Sequence, residues 1–140
     1  MMRKWLFLPH LKQNDEGAYA LLRILTGAFL VYGVWDNMLS IERMREFAGF
    51  LRANNFPLPE VLAPFSVYTQ FLAGVGLVLG LFTRWSGLVV TATFIVGVAM
   101  VHWNQSFREW WPAIVLVGLG LLFATRGGGR YAIDTLLGGK

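Results

Sequence analysis

The sequence predicts an all-α integral membrane protein: a four-helix bundle with an interfacial amphipathic helix between the first and second spans. Hydrophobic residues make up 56% of its 140 residues and charged residues only 14%, against about 45–50% and about 25% in soluble proteins. The apolar residues are gathered in four long runs, and tryptophans lie near the ends of those runs. A chain this short could not bury so much apolar surface in a water-soluble core.

The lengths of the apolar runs define the spans, since about 20 apolar residues cross ~30 Å of hydrocarbon. Residues 61–83 and 85–107 contain no charged residue. The fourth run is shorter, but flanking Trp and Arg side chains can reach the interface. The first apolar run contains Arg23 near its start, and we expect that side chain to extend back to the nearer interface. Within one transmembrane domain of residues 1–140, we predict spans over residues 18–38, 62–83, 85–105 and 110–126.

The connection between the first two spans contains one more helix. Residues 41–53 repeat apolar residues at helical spacing and place charged residues at the other positions, which is typical of an amphipathic helix. We expect it to lie on the membrane interface. Residues 1–11 have too short an apolar stretch for a signal peptide, so we expect no cleavage there.

The distribution of basic residues predicts the orientation of the chain. Four spans put both termini on one side, and that side holds eight of the 12 Lys and Arg residues. These are Arg3, Lys4, Lys12, Arg23, Arg84, Arg126, Arg130 and Lys140. Because cytoplasmic loops carry the excess of Lys and Arg, we predict that both termini are cytoplasmic.

Small residues predict how the helices pack, since helices in lipid approach each other where side chains are small. Each span has a stripe of small or polar residues that we expect at the bundle axis. The stripes are Thr26, Gly27, Gly33 and Asn37 in the first span; Ser66, Gln70, Ala73, Gly74 and Gly80 in the second; Ser86, Thr93, Gly97 and Asn104 in the third; and Ala113, Gly120 and Ala124 in the fourth.

A set of short motifs over residues 21–134 resembles the DoxX family of small four-helix bacterial membrane proteins. In order, they are Leu21-Leu22-Arg23, Tyr32-Gly33, Phe56-Pro57-Leu58-Pro59, Gly74 with Gly76 and Gly80, Leu81-Phe82-Thr83-Arg84, His102, and Gly129-Arg130-Tyr131-Ala132-Ile133-Asp134. The resemblance implies a multi-pass protein of the bacterial inner membrane, near complexes such as thiosulfate:quinone oxidoreductase. Many members have a glutamate at the position of Gln70, so this chain lacks that carboxylate.

Residue types exclude several classes of function. The chain has no cysteine, which removes disulfides, thiolate metal sites and iron–sulfur ligation. His102 is the only histidine in or near a span, and His10 belongs on the opposite side, so bis-histidine haem is not expected. Ligands with metal-site spacing are missing, and the basic residues are dispersed. We therefore expect no metal site, no cofactor bound by this chain alone, and no nucleic-acid partner.

Polar residues in the outer half of the spans define the candidate site. A polar pocket with aromatic walls near the interface suits the head group of a quinone. The candidate ligand or quinone-binding residues are Gln70, His102, Asn37, Tyr32 and Tyr68. For Gln70 the alternative is a hydrogen bond between helices. For His102 the alternatives are an interfacial hydrogen bond, a quinone or proton-relay contact, and metal ligation.

Asp36 is expected to need a cation. It lies near the C-terminal end of the first helix, where the macrodipole disfavours an anion. Arg43, Arg45 and Arg108 are on the same side of the membrane. The sequence therefore predicts structural ion pairs among these four residues.

The function that these features favour is an accessory or quinone-contacting subunit of a membrane redox complex. Its partners would be the lipid bilayer, other membrane protein subunits and a quinone. A stand-alone small-molecule carrier and a self-sufficient membrane oxidoreductase are the alternatives. The sequence leaves catalysis open and favours a protein without catalytic activity of its own.

Overall fold

A computed structural model describes residues 2–100 and 106–139 of the chain. The structure is 85% helical, and the described residues contain no strand. The elements are α1 (Met2–Phe7), a 3-10 turn (Pro9–Asn14), α2 (Asp15–Leu39), α3 (Ile41–Ala53), α4 (Pro59–Leu79), α5 (Thr83–Met100), α6 (Phe107–Arg126) and α7 (Ile133–Leu136). Four stretches of the described chain, ending in α2, α4, α5 and α6, are long and apolar enough to cross a membrane. The predicted all-α membrane fold is confirmed.

The turn between α4 and α5 lies earlier than the uncharged runs predicted. α4 ends at Leu79 because Gly80 adopts a left-handed conformation with φ of 70°, which glycine reaches without steric cost. Phe82 is also left-handed, at φ of 51°, and α5 begins directly afterwards at Thr83. The turn consists of uncharged residues, so the absence of charge did not reveal where the helix stops. Residues 101–105 of the predicted third span lie outside the described residues.

Helix α3 has the predicted bounds. Its first turn is capped by Ser40, whose hydroxyl oxygen accepts a hydrogen bond from the backbone N–H of Arg43 at 3.3 Å. It ends before Asn54 and Asn55, and Asn55 is left-handed at φ of 65°. α3 packs against α4 and α2. The helix itself is confirmed, and its position at the membrane interface stays a prediction.

Glycines permit two close contacts between helices. α2 packs on α4 through Gly27 and Gly74, and a Cβ atom added to Gly27 would lie 2.5 Å from the carbonyl oxygen of Gly74. α5 packs on α6 through Gly87, where an added Cβ would lie 2.5 Å from the backbone nitrogen of Ala124. These approaches are the kind that small residues permit in membrane helices.

The predicted stripe of α5 is partly wrong. Ser86 is buried, as expected, but Gly97 has no neighbouring atom within 4 Å of where its Cβ would be. The contact with α6 is made instead by Gly87 and Thr91, which were not in the predicted stripe. α5 and α6 therefore approach closely near the start of α5, at Gly87 and Thr91.

Both ends of the described chain lie at the same end of the bundle. Glu16 at the start of α2 pairs with Arg126 at the end of α6 at 2.8 Å. We call this end, with the end of α4, the start of α5 and residues 127–139, the terminal end. The opposite end, which contains α3, is the loop end. The core between them includes Tyr19, Leu30, Leu77, Val90 and Phe123.

Candidate functional site

Two of the predicted ligand residues line a common cavity at the loop end. Asn37 near the end of α2 and Tyr68 in α4 both face a space of about 370 Å³ between α2, α3 and α4. The other lining residues are Met38, Ser40, Ile41, Met44, Arg45, Ala48, Glu60, Ala63 and Pro64. We call this space the α3 pocket.

One hydrogen bond and one ion pair join α3 to the neighbouring helices. The side-chain amide of Asn37 donates to the backbone oxygen of Arg43 at 3.1 Å, which joins the end of α2 to the start of α3. At the other end of α3, Arg52 pairs with Glu60 in the first turn of α4. These contacts hold the two ends of α3 against the helices that form the floor of the pocket.

Two polar groups of the α3 pocket are hydrogen-bond donors on a largely apolar wall, and its carboxylate, Glu60, pairs with Arg52. Tyr68 is 50% exposed, and neither its hydroxyl nor the guanidinium of Arg45 has a partner among the described residues. Both groups can donate to an oxygen acceptor. The arrangement therefore offers an apolar surface and two donors that can bind oxygen acceptors of a small molecule.

Gln70 makes the hydrogen bond between helices that was one of its two predicted roles. Its side-chain nitrogen donates to the backbone oxygen of Leu30 at 3.2 Å, across the contact of α4 with α2. It is not among the residues that line the α3 pocket. Its half-buried amide therefore helps to join α2 to α4.

Tyr32 lies in a different groove. It is 83% exposed and borders a space of about 560 Å³ with residues such as Trp35 and Val78, on the surface between α2 and α4. His102 lies outside the described residues. The structure thus brings Asn37 and Tyr68 together, with Arg45 beside them, and separates Tyr32 from them.

The ion pair expected for Asp36 is not seen. Asp36 is exposed, and in the described part of the chain it pairs with none of Arg43, Arg45 and Arg108. Arg43 instead pairs at 3.5 Å with Glu46. Because Glu46 is three positions further along α3, it lies on the same side of the helix as Arg43 and is the nearer carboxylate.

Arg23 belongs to a second polar network, at the terminal end, which sequence reasoning missed. Arg23 was expected to extend to the nearer interface; its guanidinium does reach the terminal end, but protein encloses it and only 1% of its surface is exposed. Its guanidinium donates to the backbone oxygens of Leu77 at 2.9 Å, Gly128 at 2.5 Å and Tyr131 at 3.1 Å. These carbonyls come from the end of α4 and from the segment after α6, so they replace water around the buried cation.

The chain after α6 is held by further contacts. The Tyr19 hydroxyl donates to the backbone oxygen of Gly127, and Glu16 accepts from the backbone N–H of Arg130 at 2.8 Å. Asp134 accepts from the backbone N–H groups of Phe82 at 2.7 Å and Thr83 at 2.8 Å. We call the contacts of Glu16, Tyr19, Arg23 and Asp134 with these segments the tail clasp.

The tail clasp explains three of the sequence motifs in structural terms. Leu21-Leu22-Arg23, Leu81-Phe82-Thr83-Arg84 and residues 129–134 are far apart in sequence and meet at the terminal end. A carboxylate at the start of α5 satisfies free N–H groups and opposes the positive end of the helix dipole. The presence in this sequence of both the Thr83-Arg84 turn and Asp134 was the signal that could have revealed this contact.

Asp134→Ala is expected to lower the free energy of unfolding by about 1–2 kcal/mol, the usual cost of losing a carboxylate that caps a helix N-terminus. The N–H groups of Phe82 and Thr83 lose their acceptor, and the tail loses its contact with α5. The measurement is an SDS titration of the detergent-solubilised protein followed by far-UV circular dichroism. Asp15→Ala, an exposed acid of the same end, is the matched control. A midpoint of Asp134→Ala within error of the wild type would show that Asp134 contributes nothing.

The four long apolar helices place this chain in the class of small multi-pass helical membrane proteins. The described residues contain no group of three or more His, Cys, Asp or Glu placed to hold a metal ion. A comparison with protein-family models matches residues 18–103 to DoxX. Since this match covers more than half of the chain, the protein belongs to the DoxX family, as the motifs indicated.

The region matched to the family contains the whole α3 pocket but only part of the tail clasp. Residues 18–103 include the α3 pocket and Arg23, but not the motif at residues 129–134 that completes the tail clasp. No curated protein and no solved structure matched the chain in the corresponding comparisons.

Proposed function

We propose that this DoxX family membrane protein is an accessory subunit of a membrane redox complex and contacts a quinone in the α3 pocket. The observation on which the proposal rests is the meeting of Asn37 and Tyr68, two predicted ligand residues, in a cavity walled mainly by apolar side chains. The volume of about 370 Å³ lies within the range of small-molecule pockets.

The chemistry of the pocket suits a quinone head group. Such a ring presents two carbonyl oxygens, which accept hydrogen bonds, and an apolar face. Tyr68 and Arg45 supply donors, while Met38, Met44 and Pro64 supply apolar wall. Methionine side chains are flexible and polarizable, and they adapt to ring faces. An isoprenoid tail would leave the open side of the pocket and remain among the lipid chains.

The proposed role is accessory because the chain offers few groups for electron transfer of its own. It has no cysteine, and the part that the structure describes has no cluster of metal-binding side chains. A partner subunit would deliver electrons to the quinone or withdraw them. This chain would position the quinone ring.

We further propose that the protein lies in the bacterial inner membrane with its terminal end in the cytoplasm. Eight of its 12 Lys and Arg residues belong to that end, which agrees with the bias of cytoplasmic segments toward positive charge. The α3 pocket would then open near the outer surface of that membrane.

The proposal is tested by purifying the full chain in mild detergent from its own membrane and measuring quinone per protein by mass spectrometry. We expect partner subunits and a quinone to co-purify. Tyr68→Phe should lower the quinone content about five-fold, because a lost hydrogen bond of about 1 kcal/mol corresponds to that factor. Arg45→Gln should lower it at least as much, since its donor is charged.

Tyr32→Phe is the matched control, because it removes the same hydroxyl from the groove on the other side of α2. It should leave the quinone content unchanged. A homogeneous protein without partner subunits or quinone would contradict the proposal. Equal losses in Tyr68→Phe and Tyr32→Phe would contradict the assignment to the α3 pocket.

A further inference from the structure

Residues 2–14, which form α1 and the 3-10 turn, have no buried side chain. Trp5 is 79% exposed and Phe7 is 75% exposed, and Leu6 and Leu11 are also largely uncovered. Large apolar side chains that remain in water are unfavourable. The described part of the chain provides no cover for them, so they need a surface outside it.

α2 is long enough to cross a membrane without the residues before it. α2 has 25 residues, which at 1.5 Å per residue gives about 37 Å and exceeds the ~30 Å of the hydrocarbon core. Residues 2–14 therefore do not have to cross the bilayer. Phe82, Trp85 and Tyr131 are exposed at the same end of the bundle. Such aromatic side chains prefer the headgroup level.

The charge of residues 2–14 indicates which surface they fit. They contain Arg3, Lys4 and Lys12 and no Asp or Glu, and none of the three cations forms an ion pair with another described residue. The tail clasp engages Glu16 and Asp134 of the same end. Those carboxylates are thus engaged by other groups, and the one acid beside the segment that forms no ion pair within the described chain, Asp15, offsets only one of its three positive charges.

We propose that residues 2–14 bind the surface of a membrane that contains anionic phospholipids. Trp5, Leu6 and Phe7 enter the headgroup region, and Arg3, Lys4 and Lys12 pair with lipid phosphates. Short segments that combine basic and aromatic residues bind in this way, through buried apolar area plus attraction to anionic lipid. This inference does not depend on the proposed quinone contact.

The absence of cysteine permits a direct test in the full-length protein. Leu6→Cys is labelled with a nitroxide, and the protein is placed in nanodiscs of phosphatidylcholine alone or with 30% phosphatidylglycerol, a composition chosen to supply a negative surface potential on the order of that in cells. Power saturation compares collisions of the label with oxygen and with a water-soluble nickel chelate. We expect at least a three-fold lower collision rate with nickel in the anionic discs, and loss of that difference in concentrated salt.

Charge variants make the test specific. Arg3→Gln, Lys4→Gln and Lys12→Gln together should abolish the difference between the two lipids, and these exposed positions leave the helical bundle intact. The matched control is the triple variant Arg43→Gln, Arg45→Gln and Arg108→Gln, which removes three cations from the loop end and should retain the difference. A label equally shielded in both lipids, or equally open to nickel in both, would overturn the proposal.

Discussion

Arg23→Leu is expected to lower the free energy of unfolding on the order of 4 kcal/mol, since each hydrogen bond to a charged group contributes about 1.5–3 kcal/mol. Arg23 donates to the backbone oxygens of Leu77, Gly128 and Tyr131, and it is almost fully buried. Leucine fills part of the volume but leaves these carbonyls without their donor. The tail after α6 also loses its attachment to α2 and α4.

The same SDS titration measures this effect, with Arg108→Leu as the control because Arg108 is exposed and has no partner among the described residues. Arg23→Lys should lower the free energy of unfolding by an intermediate amount. The lysine ammonium keeps the charge but lacks the separate guanidinium nitrogens that reach three carbonyls. An Arg23→Leu midpoint within error of the wild type would show that the buried guanidinium does not hold the terminal end together.

Gly27→Ala is expected to lower the free energy of unfolding by about 1–3 kcal/mol, the usual cost of overpacking a close contact. The added methyl group would lie 2.5 Å from the carbonyl oxygen of Gly74, and backbone atoms cannot move aside as a flexible side chain can. α2 and α4 would have to separate. The hydrogen bond from Gln70 to Leu30 crosses the same contact and would lengthen with them.

Gly118→Ala is the matched control, because a Cβ atom at Gly118 meets no atom within 4 Å. The same substitution in the middle of another spanning helix should therefore be neutral or slightly stabilising, as alanine has the higher helix propensity. SDS titration and the yield of monodisperse protein after gel filtration report on both variants. Equal stability of the two would contradict a backbone contact between Gly27 and Gly74.

The helices could be predicted from the sequence because their signal is local. Long apolar runs revealed the spanning helices, and helical spacing of apolar residues gave the bounds of α3. The boundary between α4 and α5 could not be found in this way. It depends on the left-handed conformations of Gly80 and Phe82, and neither residue interrupts the apolar run.

The environment of Arg23 depends on tertiary structure. A basic residue near the start of a span ordinarily reaches the interface, and nothing local distinguishes this one. Its partners are backbone carbonyls 54 to 108 positions away in sequence. Backbone carbonyls are the same in every residue, so the sequence does not reveal which of them will bind an arginine. The helix that contains Arg23 was therefore predicted correctly, but its burial was not.

The candidate site was only partly predictable, for a geometric reason. Asn37 and Tyr68 both belong to the loop end and line the α3 pocket. Tyr32 precedes Asn37 by five positions, which is about 140° around a helix of 3.6 residues per turn. Grouping residues by depth alone therefore combined two faces of α2. Arg45 was predicted to form an ion pair, and it lines the α3 pocket instead.

The most direct measurement of the proposed function is photo-cross-linking with an azidoquinone in the protein's own membrane. Labelled peptides would be identified by mass spectrometry, with excess unlabelled quinone as competitor. We expect competed labelling within α3 and the first half of α4, around Met44 and Tyr68. Competed labelling confined to the groove of Tyr32, or labelling that excess quinone does not reduce, would contradict a quinone site in the α3 pocket.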